Sequence, residues 1–309
     1  MLDPDSVPRP MTAPELLQVR AMPAKTLLPP LLGTQTLALL HGPRGLGKSW
    51  FAMALARAVA AGEPILGWTP PQPCPVLYFD GEMTGNDMKT RLASLGPPPP
   101  LLQFLVAELS SVALPDFAYR DGQQILWAML SRLRPPALLV FDSLASLTSF
   151  STNDPDRWTE LQLFLLRLRR IGFAVLLIHH SNRKGFQRGT NRREDLLDVV
   201  IGLRRPSGHR ARDGAHFILE VEKARSVHGT ALDPIEARLV RGADGTMTWD
   251  WRTAARGNLE RFAGLLKLGL GVGQAARELG LPRSTAYRMR ETAMEAGLLG
   301  DAKSAAPDG

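Results

Sequence analysis

The 309 residues are 44% hydrophobic and 22% charged, the balance of a globular chain, and their number suits one large domain or one of about 200 to 250 residues plus a small module. No apolar run reaches the roughly 18 to 20 residues that cross a bilayer, and residues 1–10 lack the basic start and apolar stretch of a secretion signal. A membrane protein is thereby excluded and a cytoplasmic location expected. One cysteine, Cys74, allows neither an intrachain disulfide nor a thiolate metal site, and the six histidines lack ligand spacing apart from the adjacent His179 and His180. The 37 Lys plus Arg against 30 Asp plus Glu leave +7, carried mostly by arginine, a balance that suits phosphate-bearing partners.

In chain order, residues 1–31 are proline-rich and read as an extended arm with one short helix at Glu15 to Arg20. From Leu37 short apolar runs alternate with helical stretches. Strands are expected at Leu37 to Leu40, Val76 to Phe79, Phe104 to Ala107, Leu138 to Phe141 and Val175 to Ile178. Helices are expected at Ser49 to Ala61, Asp87 to Leu95, Gln123 to Leu133 and Arg157 to Ile171. Strands this apolar are buried on both faces, which predicts an α/β fold with a mostly parallel sheet. After Ile201, strand patterns at Phe217 to Glu222, Ala237 to Arg241 and Met247 to Trp251 predict an antiparallel extension. The expected division is an arm over 1–31, an α/β core over 32–252, a helical module over 257–300 and a tail over 301–309.

Gly42-Pro43-Arg44-Gly45-Leu46-Gly47-Lys48-Ser49-Trp50 joins the first strand to the first long helix, which is G-x-x-x-x-G-K-S in strand-loop-helix context. The glycines let backbone N–H groups face phosphates, Lys48 reaches the terminal ones, and Ser49 ligates Mg²⁺, so ATP and Mg²⁺ are the expected ligands. A second carboxylate for the metal belongs at the end of a buried strand, and Asp142 closes Leu138 to Phe141 in that way. The following residue is Ser143, where many P-loop enzymes carry a glutamate, so the group that activates water must come from another strand. Glu82, just past Val76 to Phe79, is the expected base, with Asp80 its competitor.

Val272 to Arg290 reads as helix-turn-helix, with Ala275, Leu279, Leu281, Ala286 and Met289 inward and Gly280 at the turn. Arg283, Ser284, Thr285, Tyr287 and Arg288 then lie outward on the second helix and suit phosphates and base edges of duplex DNA. A helix pair that docks on the core or on another protein is the other reading of the same pattern.

The motifs Gly42 to Ser49, Glu82, Asp142 and the polar strand end Ile178-His179-His180-Ser181 resemble those of RecA-type P-loop ATPases, and among them the hexameric replicative helicases similar to RepA and DnaB, over roughly Leu32 to Trp251. The resemblance implies a RecA-like core and a homo-hexameric ring around single-stranded DNA. It also implies a γ-phosphate sensor at His180 or His179. A DNA-binding loop is implied at Arg183, Lys184, Arg188, Arg192 and Arg193, whose bases, glycines and aromatic suit a nucleic-acid backbone. Lys223 and Arg225 resemble the family's K-x-R element, which reaches a neighbour's ATP and stabilises transition-state charge. The helical amino-terminal domain of DnaB has no counterpart, as in RepA-like helicases. Two other readings remain: an ATP-switched DNA-binding regulator, and a loader or recombinase-like ATPase without unwinding activity.

Overall fold

The computed structural model describes residues 9–20, 23–149, 155–180, 195–206, 209–210, 213–225 and 230–299. A short helix, α1 (Ala13–Gln18), precedes a two-stranded hairpin, β1 (Thr26–Leu28) and β2 (Leu32–Gly33). The core then runs β3 (Leu37–Gly42), α2 (Lys48–Ala61), β4 (Val76–Asp80), α3 (Gly85–Ser94), β5 (Leu102–Val106), α4 (Arg120–Leu130), β6 (Leu138–Asp142), α5 (Pro155–Arg170) and β7 (Ala174–His180). It closes with β8 (Val199–Arg204), β9 (His216–Ala224), β10 (Ile235–Arg241) and β11 (Met247–Thr253).

Nine strands form one sheet in the order β11-β10-β9-β8-β3-β7-β6-β4-β5. The six from β8 to β5 are parallel, and β9 to β11 continue antiparallel. This is the fold class the patterning predicts. The period of two sorts each central strand between two cores. Ala38, Leu40, Val140 and Ile178 face the layer containing α2, while Leu39, Phe141 and Leu177 face the layer containing α4 and α5. Phe79, Phe117 and Phe141 interlock there, with ring centroids 4.9 to 5.5 Å apart.

Two expectations are corrected. The arm does not extend to residue 31, because Leu27, Leu28, Leu31 and Leu32 are each at most 2% exposed and belong to the α2-side core. Two leucine pairs separated by Pro29-Pro30 give no periodic signal, so only tertiary contact reveals the hairpin. The second is β8, absent from the sequence reading, whose run contains Gly202. A Cβ there would collide with the Glu222 carboxyl, so the glycine admits a side chain from β9 rather than ending the strand.

Helix α6 (Ala254–Lys267) leaves β11 without a linker, its first turn capped by the Thr253 hydroxyl accepting from the Arg256 N–H. Together with α7 (Val272–Glu278) and α8 (Arg283–Glu295) it packs around Phe262, Ala275, Ala276 and Ala286, all at most 1% exposed. The unit is tied to the sheet by Glu236, only 4% exposed, which pairs with Arg261 at 2.8 Å, His216 at 3.0 Å and Arg252 at 3.4 Å. Gly257 makes room for that carboxyl. Residues 301–309 lie outside the described residues. No helix among the described residues is long and apolar enough to cross a membrane.

Candidate nucleotide site

The carboxyl ends of β3, β4, β6 and β7 meet at one edge of the sheet, with Gly42 opposite His180 and Asp80 opposite Asp142. Strand order reverses across β3, and that crevice is where open α/β sheets hold ligands. Gly47 caps α2 in the left-handed region at φ 98°, and an added Cβ would lie 2.5 Å from that of Ala215. The turn is therefore restricted to glycine both by conformation and by space. Lys48 is 3% exposed and donates to the carbonyls of Gly42 at 2.8 Å and Pro43 at 2.9 Å. Burial lowers its ammonium to about 8, opposed by the charges of Asp142 and Glu82. On the other side of the loop, Arg205 donates to the Arg44 carbonyl at 3.5 Å.

Asp142 is 1% exposed and receives the Tyr78 hydroxyl at 2.6 Å, and the Ser49 hydroxyl is close enough to act on its carboxyl. Burial raises that carboxyl, while the two hydroxyls pull it down. Its Oδ1 is buried and has no hydrogen-bond partner, so an acceptor beside Ser49 stands ready for a cation. Among the described residues no group of three or more His, Cys, Asp or Glu could hold a metal. Serine plus one aspartate is the smaller set that Mg²⁺ uses when phosphate oxygens and water complete its shell. The site thus fits a magnesium nucleotide.

Asp80 accepts from the Met83 N–H at 2.8 Å and the Glu82 N–H at 3.3 Å, closing the turn after β4. It is 1% exposed, and burial lifts it to about 6. Asp80 thus closes the turn through Oδ1, while its Oδ2 is buried without a hydrogen-bond partner; Glu82 is the more exposed of the two carboxylates, and its charge acts on Lys48. Glu82 accepts from the Ser143 hydroxyl at 2.5 Å and lies 3.2 Å from His180 Nε2 through both oxygens. Burial raises its carboxyl, but the bonds from Ser143 and His180 together hold it below the ordinary range.

Of the other expected residues, Lys223 pairs with Val200 in the β8–β9 ladder, and Arg225 follows the end of β9. Arg225 bonds the Asp195 carbonyl and lies 3.7 Å from Asp198 of its own chain. Asp198 also pairs with Arg169 at 3.3 Å and accepts the Leu37 N–H at 2.9 Å. Arg225 is thus held within its own subunit. On α8, Arg283, Ser284, Tyr287 and Arg288 are exposed and Thr285 is half-buried. Arg183, Lys184, Arg188, Arg192 and Arg193 lie outside the described residues.

Tyr78 and the pair of His41 with Glu222, 3.0 Å apart on β3 and β9, escaped the sequence reading. Each is an ordinary strand residue until the sheet order gives it a partner. Ser143 was visible only as a missing glutamate.

A family model described as an AAA domain matches residues 4–185. Among solved structures, a KaiC-like protein from the hyperthermophilic archaeon Pyrococcus horikoshii is similar with a TM-score of 0.49 at 16% identity, over 72% of this chain and 97% of that one. No curated protein matches.

Proposed function

We propose that this chain, a P-loop ATPase that belongs to the AAA domain family, has a RecA-like core and works as a ring-forming DNA motor of the RepA and DnaB type. The observation that carries this reading is that Glu82, within reach of the P-loop lysine's charge, touches His180. His180 is the last residue before the stretch that bears Arg183, Lys184, Arg188, Arg192 and Arg193. A contact between the proposed base and the residue that leads into the proposed strand-binding segment would supply the coupling of hydrolysis to single-stranded DNA that a motor requires.

Lys48 and the glycine turn would hold the triphosphate, and Ser49 and Asp142 would hold Mg²⁺, which would supply neutralisation of charge on the phosphate oxygens. Glu82 takes a proton from water as the new oxygen–phosphorus bond forms and the bond to the β-phosphate oxygen breaks, leaving ADP and phosphate. Arg225 acts on a neighbour's nucleotide after leaving Asp198. That exchange breaks a 3.7 Å pair, weak for a guanidinium 45% exposed, and also the hydrogen bond to the Asp195 carbonyl. Six subunits are proposed by the same resemblance.

A second reading, an ATP-switched regulator without unwinding, is favoured by the exposed Arg283, Ser284, Tyr287 and Arg288 on α8, which suit duplex DNA. ATP hydrolysis measured with and without single-stranded DNA over a range of protein concentrations tests both. The motor requires stimulation that rises cooperatively with concentration. Slow turnover indifferent to single strands supports the regulator instead.

A further inference from the structure

We propose that Ser143 is a positioning residue for hydrolysis, setting which way the Glu82 carboxylate faces. The inference rests on the reading of Glu82 as proton acceptor and adds what makes that residue effective in this chain.

Ser143 is 0% exposed, yet its hydroxyl donates at 2.5 Å to Oε1 of a side chain 61 residues earlier that is 39% exposed. A buried hydroxyl has no need of such a partner, since a nearby backbone carbonyl would satisfy it equally. The contact's contribution to stability is modest, about 1.5 to 3 kcal/mol at most for a hydrogen bond to a charged group, because a half-exposed carboxylate is already partly solvated. Its specific effect is geometric.

Ser143 is itself built into place. Its N–H donates to Ser146 Oγ at 3.0 Å, and Ser146 Oγ donates to the Ser143 carbonyl at 2.9 Å. The two hydroxyl oxygens are 3.5 Å apart. Ser146 fits because Gly81 has no side chain: a Cβ there would come within 2.6 Å of Ser146 Oγ. The Gly81 N–H in turn donates to the Asp142 carbonyl at 2.9 Å, fastening the end of β4 to the end of β6. With Asp80 pinning the Glu82 backbone, Ser143 fixing Oε1 and His180 approaching from β7, three strands immobilise one flexible side chain. Glutamate otherwise loses much of its rotamer freedom only when the reaction begins. Here that cost is met in the folded state, and the carboxylate is aimed before water arrives.

The test uses the full-length chain and four proteins: wild type, S143A, E82Q and the double variant. Steady-state hydrolysis and the affinity for a fluorescent ATP analogue are measured for each. S143A is expected to lower kcat about 10- to 100-fold, the effect of misplacing a catalytic group by about 1 Å, with KM and analogue affinity within about twofold. In the E82Q background the same substitution is expected to change kcat by less than about twofold, since there is no longer a base to aim. A wild-type kcat in S143A overturns the proposal, as does a parallel loss of analogue affinity, which would assign Ser143 to the fold of the Asp142 turn. Losses that multiply in the double variant overturn it as well. Wild-type turnover in E82Q removes the base assignment itself, an outcome visible without any Ser143 variant.

Discussion

His180 Nε2 lies 3.2 Å from both carboxylate oxygens of Glu82, although 98 residues separate them. Because Ser143 and His180 together outweigh burial, Glu82 is ionised throughout the neutral range and below its ordinary value. Turnover should therefore not fall on its account between pH 7 and pH 5. Removing the imidazole in H180A leaves burial less opposed, so the acid limb of the rate profile should move to higher pH. Hydrolysis measured across pH 4.5 to 7.5 for both proteins checks the direction, and an acid limb that stays in place would show that His180 does not act on Glu82.

Lys48 titrates at about 8 in the free site, lowered chiefly by burial. A polyphosphate favours the ammonium, so above pH 8 binding must take up a proton, and affinity should drop by up to about tenfold per pH unit. Calorimetry in buffers of different ionisation enthalpy would detect that uptake at pH 9 and its near absence at pH 6.5.

Gly47 is left-handed and packed against Ala215. G47A should abolish binding of a fluorescent ATP analogue. The compensating change A215G relieves the collision but not the backbone conformation, and should restore the folded state more than it restores binding. Thermal melts beside analogue titrations separate the two effects, and full binding by G47A would contradict the geometry.

Glu236 is held at about 2 by its hydrogen bond from His216 and the charges of Arg261 and Arg252, which outweigh burial. A depressed carboxyl contributes stability that is complete above its unfolded value near 4.5 and is lost as pH falls toward 2. The contribution is about 3 kcal/mol. E236Q should lower stability by a similar amount at pH 7 and flatten the acid limb of denaturant unfolding. The melting of α6 should be most affected, since Arg261 belongs to it.

Arg225 and Glu82 lie in one chain, but the proposed ring places them on opposite sides of a shared site. E82Q and R225A should each be poorly active alone. Mixed in equal amounts, they should regain hydrolysis, because one class of interface then contains an intact Glu82 and an intact Arg225. Additive, uncomplemented rates in the mixture would confine Arg225 to its pair with Asp198.

The chemistry of the phosphate cradle was legible in the chain because it is local. Gly42 to Ser49 occupies eight consecutive residues, and its strand and helix announce themselves by apolar runs on either side. The same holds for Asp142, the one charge at the end of an all-buried strand, and for the alternation that predicts a parallel sheet. The β1–β2 leucines lacked a period, and β8 was hidden by a glycine whose purpose is to admit Glu222.

What the chain by itself determined is therefore a nucleotide-binding α/β core and the residue types at its strand ends. Which strand end touches which was decided only by the order β3-β7-β6-β4, which sets His180 and Ser143 on Glu82 and leaves Asp80 to the turn. It likewise put Arg225 on Asp198 and Glu236 among two arginines and a histidine. The physical reason is range: backbone conformation and burial period are written within a few residues, whereas hydrogen bonds and ion pairs form between groups that only the packed sheet brings within about 3 Å.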